Sequence, residues 1–531
     1  MGKTISENDR WHHYLKGKAR EKRQSKKTTP FYQMILERWV CQRSVKSVLW
    51  TDFLYFIKSV KNSMNKTALN NDNCMTTEER KATWGLGTIF SLRMFGMFMV
   101  LPVLTTYGMH LQGANETLIG IAIGIYGFMQ AIFQIPFGLW SDKVERKTLI
   151  ILGLSIFVIG SIIAALSTSI WGVIIGRALQ GSGAISAAVM ALLSDLTREQ
   201  IRTKAMAFIG VSFGITFAIA MVTGPIITHQ IGLQGLFWFI AVLATGGIFL
   251  TITVIPKSQY HIRNSESAVI KGCLKEVLKQ PQIMKLNIGI FCMHCLLMTT
   301  FIALPLCFER ADFPAYRHWQ IYLVTMLIAF VSVVPGIIIA ETKRKMKAVF
   351  LCCIVILIAA EATLWWADNQ LWVLILGTLL FFIGFNLMEA LLPSLISKEA
   401  PAGSKGTALG VYSTFQFLGA AAGGSIGGWI VGHFGTEVLF LSAALLAVLW
   451  LILAFTMNEP PYLANLRIRL TGLTECRNND VWKDFFLRQT GVYEAIIIPE
   501  DQCAYIKIDS TMTTRQVLEA AVAQQEKTDL C

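Results

Sequence analysis

Arg93, Arg177, His294 and Glu389 each interrupt a run of apolar residues long enough to cross a bilayer. An ionisable group there costs about 3 kcal/mol at the membrane centre, so it is retained where it faces a wet cavity, an ion pathway or a partner. Arg93 and Glu389 carry opposite charge and are expected to pair across a central space, the pair breaking or taking up a proton as that space changes shape. Glu361 lies near the end of its own apolar run, where snorkelling to the interface is the simpler expectation. A second constellation is Gly138-Leu139-Trp140-Ser141-Asp142-Lys143-Val144-Glu145-Arg146-Lys147. Asp142 at a helix end can accept from a helix N-terminus or a guanidinium, while Lys143, Arg146 and Lys147 are expected to stay among the headgroups. Arg177 opens Arg177-Ala178-Leu179-Gln180-Gly181, and two readings stand for it: a coupling residue, or a hydrogen-bond hub to backbone carbonyls. Gly210, Gly214, Gly224 and Pro225 place small residues and a proline in one run, which suits close helix packing.

These residues sit in an unusual chain. Hydrophobic residues make up 54% of it and charged ones 15%, with a mean hydropathy of +0.52; a soluble chain carries nearer a quarter charged residues. Twelve stretches reach spanning length, centred near 95, 127, 158, 181, 215, 244, 295, 328, 357, 383, 418 and 446. The second, fourth, sixth, eighth and tenth loops hold eighteen Lys and Arg, against Arg310 and Arg317 in the others. That asymmetry predicts both termini in the cytoplasm. Residues 1–74 add 15 basic against 6 acidic side chains without a nucleic-acid recognition motif, so anionic lipid is the expected partner and nucleic acid is not. The eleven cysteines form no paired framework; Cys292, Cys295, Cys352 and Cys353 read as small packing residues, and neither a metal nor a cofactor is expected. The sequence shows no nucleotide-binding loop or hydrolytic motif, which argues against an enzyme or direct ATP drive.

The chain also repeats itself. Ala191-Leu192-Leu193 recurs as Ala390-Leu391-Leu392 at an offset of 199, and Gly210-Val211 as Gly410-Val411 at 200. Pro136 precedes Asp142 by six residues, as Pro335 precedes Glu341. Two six-span halves around a central pathway are a transporter architecture.

Gly138, Asp142, Lys143, Arg146 and Lys147 resemble signature motif A of the major facilitator superfamily (MFS), with Glu145 where that family usually has Gly. The run from Arg177 is similar to motif B, which implies a place near proton coupling, and Gly224-Pro225 is a partial match to the antiporter motif C. Stretches 76–108, 176–221 and 386–401 resemble bacterial inner-membrane permeases of the superfamily that carry an added cytoplasmic domain. The resemblance implies an all-α membrane protein with the twelve-transmembrane-helix MFS fold, a 6+6 pseudo-repeat. In it the first, fourth, seventh and tenth spans, those of Arg93, Arg177, His294 and Glu389, line the cavity, and motif A gates it. It further implies a multi-pass protein of the bacterial inner membrane that exchanges protons for a small organic solute or drug. A facilitator or symporter of the same fold, or a membrane sensor, is the alternative.

After Pro460-Pro461 the composition turns soluble. Strand patterns at 466–470, 492–498 and 503–508, with helices at 480–489 and 513–525, give a β-α-β-β-α order. This predicts a ferredoxin-like domain without its last strand, and Cys476 alone stands in the loop after its first strand. A regulatory or self-association module is therefore expected rather than a metal carrier. The expected organisation is a basic extension 1–74, with Met64 a candidate native start, six-helix bundles at 75–255 and 284–457, a linker at 256–283, and the soluble domain at 462–531.

Overall fold

The computed structural model describes residues 75–141, 144–256, 271–401, 405–459, 464–470, 479–498, 503–509 and 512–529. The expected extension 1–74 with Met64, the linker from 257 to 270, the motif residues Asp142 and Lys143, and Cys476 lie outside them.

Ten helical stretches among the described residues are long and apolar enough to cross a membrane, and two of these run for 50 residues. A helix of that length would measure about 75 Å against a hydrocarbon core of about 30 Å. Each long stretch breaks once, at Gly232 (φ 74°, ψ 175°) and at Gly435 (φ 86°, ψ 176°), where the backbone enters a region open essentially to glycine alone. Counting each as two gives twelve spans. Spans one to three are Thr77–Tyr107, Glu116–Ser141 and Arg146–Leu166. Span four is interrupted, as Ile170–Ser182 and Ser186–Leu196. Spans five and six are 199–231 and 233–253. Spans seven to ten are Pro281–Arg310, His318–Thr342, Met346–Trp366 and Leu371–Glu399. Spans eleven and twelve are 405–434 and 436–455. The later part of the expected linker forms a short helix, Lys271–Lys279.

The duplication is visible in the breaks and in the prolines. Pro102 and Pro305 lie inside spans one and seven, and Pro136 and Pro335 inside spans two and eight. Outward-facing side chains are apolar along the bundle, with Trp84 and Trp140 at one end and Trp171, Trp366 and Trp372 at the other. Tryptophan favours membrane–water interfaces, so these rings mark the two edges of the lipid-facing band.

The halves touch at the end that bears the odd-numbered loops. There Gly120 and Gly124 of span two meet Gly424 and Gly428 of span eleven so closely that a Cβ at any of them would overlap the opposing backbone. His229 of span five stacks on Tyr316, ring centroids 5.1 Å apart, at the same end. The soluble domain has β1 (Ala464–Arg469), α1 (Asn479–Leu487), β2 (Val492–Ile498), β3 (Cys503–Ile508) and α2 (Arg515–Asp529). Among the described residues its antiparallel sheet runs β1-β3-β2, the order of the first three strands of a ferredoxin-like sheet. Ile468, Ile506, Trp482, Phe486 and Leu518 fill its core.

Candidate functional site

The halves diverge toward the end that bears the even-numbered loops, enclosing a cavity of about 420 Å³. Spans one, two, four and five face spans ten and eleven across it, through side chains such as Phe90, Met94, Met190 and Phe213 on one side and Tyr412 and Phe417 on the other. Polar groups are few: Gln134, Glu389, Gln416 and a set of serines. Apolar and aromatic walls with sparse polar groups are the usual make-up of a small-molecule site. Beyond Phe213, Gln416 and Phe417, which line both spaces, lies a pocket of about 20 Å³ bordered by Tyr126, Arg177 and His294.

Glu389 stands in the cavity wall because span ten turns that face inward one turn before Pro393. Gln416 Nε2 lies 3.4 Å from Glu389 Oε1 and 2.9 Å from His294 Nε2. His294 Nε2 is 3.9 Å from Glu389 Oε2. One amide nitrogen has two hydrogens and can serve both acceptors, which leaves His294 a neutral imidazole. The carboxylate's Oε2 has no hydrogen-bond partner among the described residues. Three spans thus bring an acid, an imidazole and a neutral bridge together at the junction of the two spaces.

The expected pair of Arg93 and Glu389 is absent from this structure. Arg93 is fully buried and donates to Gln130 Oε1, and its guanidinium lies 5.7 Å from the Phe157 ring centroid. Gln130 Nε2 in turn donates to Gln134 Oε1 at 3.2 Å, so Arg93 reaches the cavity only through two amides. Arg177 donates to Gln180 Oε1 at 3.0 Å and to the Ala122 carbonyl at 3.4 Å, with its guanidinium 4.7 Å from the Tyr126 ring centroid. It is held as a hub and also borders the inner pocket. Glu361 does not snorkel: it is 0% exposed and lies against Thr300 of span seven. Sequence reasoning passed over Gln416, Gln130 and Gln134, although the last two stand four apart on one helix face, as partners for a buried cation would.

Motif A departs from the headgroup expectation. Gly138 lines the cavity mouth. The Arg146 side chain turns inward to an ion pair with Asp195 of span four, the two side chains 5% and 0% exposed. Its Nη1 donates to the Ala191 carbonyl at 2.7 Å and its Nε to the Ser141 carbonyl at 3.2 Å. Lys147 Nζ donates to the carbonyls of Ile252 and Ile255, 3.0 and 2.7 Å away, at the end of span six. A cation there complements the helix C-terminus. In the second half Glu341 of span eight accepts from Lys398 of span ten at 2.8 Å and from Ser394 at 3.1 Å. Gly224 of span five has no room for a Cβ against the Met99 carbonyl of span one, and Pro225 follows it inside the helix. Among the described residues no group of His, Cys, Asp and Glu is placed to hold a metal.

The Major Facilitator Superfamily model matches residues 86–424 and 347–498 of this chain. Inner membrane transport protein YajR of Escherichia coli (strain K12) is 63% identical over 454 residues, 86% of this chain and 100% of that protein. Multidrug resistance protein 2 of Bacillus subtilis (strain 168) is 25% identical over 389 residues, 70% of this chain and 94% of its own. A solved D-xylose-proton symporter superposes with a TM-score of 0.58 at 15% identity, over 72% of this chain and 97% of that one, a likeness of fold. Two like halves of six spans, meeting at one end and parted around a cavity at the other, make this chain a member of the Major Facilitator Superfamily.

Proposed function

We propose that this transporter exports a small organic solute across the bacterial inner membrane in exchange for protons, with Glu389 as the proton-carrying group of the cavity. The observation that carries the reading is the placing of Glu389: its carboxylate lines the solute space, is bridged by Gln416 to His294, and has no described Arg or Lys paired with it. A charge in such surroundings is costly, so a proton and a cationic or polar solute compete for the same carboxylate. The loop charges support an orientation with the even-loop end, and both termini, in the cytoplasm, and in that orientation the cavity opens toward the cell interior. Solute entering there displaces the proton from Glu389. After the halves rock to the other arrangement, a proton arriving from outside releases the solute.

The cavity volume of about 420 Å³ suits a drug-sized molecule, and methionine and aromatic walls adapt to varied shapes. The names of YajR, an inner membrane transport protein, and of Multidrug resistance protein 2 support the location and the cargo class. His294 tunes Glu389 through Gln416, while Arg93 and Arg177 act on the cavity through amides and the Tyr126 ring. The motif A residues Gly138, Asp142, Lys143, Arg146 and Lys147 set the gate at the cytoplasmic mouth, and Gly224-Pro225 lets span five approach span one. The units in this reading are bundles 75–255 and 284–457, a linker 256–283, and a regulatory or self-associating domain 462–531.

Proteoliposomes holding the purified protein test it. Ethidium and chloramphenicol are the probes, and a pH step supplies the driving force. Probe movement against its own gradient, driven by proton flow the opposite way and abolished by a protonophore, is the expected result. Movement down the probe gradient alone, indifferent to the pH step, would make the protein a facilitator.

A further inference from the structure

Glu361 belongs to neither the cavity nor the inner pocket. It projects from span nine into the packed interior of the second half and is 0% exposed. Its Oε1 lies 2.8 Å from Thr300 Oγ1 of span seven, and its Oε2 has no hydrogen-bond partner among the described residues. No described Arg, Lys or His pairs with it, and the Cys295 thiol of span seven is the titratable group close enough to interact with it.

The position of one hydrogen decides what this contact is. Thr300 Oγ1 also lies 2.7 Å from the carbonyl oxygen of Leu296, one turn earlier. A hydroxyl has a single hydrogen, and a carbonyl oxygen can only accept. The shorter of the two contacts, to Leu296, takes the Thr300 hydrogen, in the geometry in which the carbonyl four residues back takes it at Thr83, Thr228, Thr251 and Thr378. That leaves Oγ1 facing Glu361 with a lone pair. Two lone pairs at 2.8 Å repel; the contact becomes a hydrogen bond when the carboxyl group supplies the hydrogen.

The geometry points to a second proton-binding site in the wall of the second half: Glu361 holds a proton in this conformation and donates it to Thr300, fastening span nine to span seven. The site is independent of the export reading, because it lies outside the cavity and involves none of its residues.

Infrared spectra of the protein in lipid, recorded in light and heavy water at neutral pH, test the proposal. Wild type should show the carbonyl stretch of a buried carboxylic acid that is lost in Glu361→Gln and kept in Glu389→Gln. Glu361→Gln retains a donor toward Thr300 and should fold like wild type. Thr300→Val should shift the band without removing it. A wild-type protein lacking the band, a carboxylic-acid spectrum left unchanged by Glu361→Gln, or a band unmoved by Thr300→Val would each overturn the assignment.

Discussion

Removing the charge of Asp195 tests how motif A holds the first half together. Asp195 and Arg146 are almost wholly withdrawn from solvent, and truncating one member of a buried pair costs about 3 to 5 kcal/mol. Asp195→Leu leaves the guanidinium two carbonyl acceptors, at Ala191 and Ser141, so its cost falls at the lower end, about 3 kcal/mol. Arg146→Met takes the cation away from a carboxylate that is 0% exposed, and its cost falls at the upper end, about 5 kcal/mol. Independent effects would add to about 8 kcal/mol. Replacing both residues by apolar ones of similar volume removes the stranded charge as well, so Arg146→Met/Asp195→Leu is expected within about 2 kcal/mol of wild type. Equilibrium unfolding in mixed dodecyl maltoside and dodecyl sulfate micelles, followed by tryptophan fluorescence, reads all three variants. A double variant as unstable as the sum would show that the two residues do not act as a buried pair.

Two substitutions probe the architecture. Gly232→Ala puts a side chain at φ 74°, ψ 175°, and is expected to destabilise the first half by about 1 to 3 kcal/mol in the same micelles; an unchanged midpoint would sink the assigned break between spans five and six. Gly424→Leu drives a side chain into the backbone of Gly120 and Gly124, where the halves meet. Overpacking of about 1 to 3 kcal/mol should shift the equilibrium away from the observed conformation about 5- to 150-fold and so slow maleimide labelling of a cavity cysteine (Ser413→Cys, cysteine-free background, inside-out vesicles). Labelling at the wild-type rate would mean that this contact does not hold the halves.

Much of the bundle is legible in sequence because a bilayer demands it: spans of fixed length, loops of one charge sign, and a repeat that recurs at offsets near 199 residues. Span counting already divides each long helix, with centres at 215 and 244 and at 418 and 446, but hydropathy does not single out Gly232 and Gly435 as the residues where the backbone turns. Side-chain partners were harder to read. Arg93 and Glu389 invite pairing by charge alone, yet a neutral glutamine chain takes the guanidinium and a glutamine–histidine pair takes the carboxylate. Which face of a helix a residue occupies decides such matters, and in a helix apolar all round the sequence carries little periodic signal. For the same reason Glu361 looks like an interfacial residue by position and turns out enclosed. Arg146 looks like one base among three, and only the approach of span four reveals its acid. The soluble domain was easier, since alternating strands and one-sided helices announce their inner faces.

The direct test of proton exchange at Glu389 is proton counting in proteoliposomes loaded with a pH-sensitive dye. On addition of a transported probe, wild type should move protons opposite to the probe, and faster when the pH gradient favours proton movement in that direction. Glu389→Gln keeps the bridge through Gln416 but cannot exchange a proton; it should still pass probe down its own gradient, move no protons with it, and lose the dependence on pH. Proton movement coupled to probe at the wild-type ratio in Glu389→Gln would contradict the account.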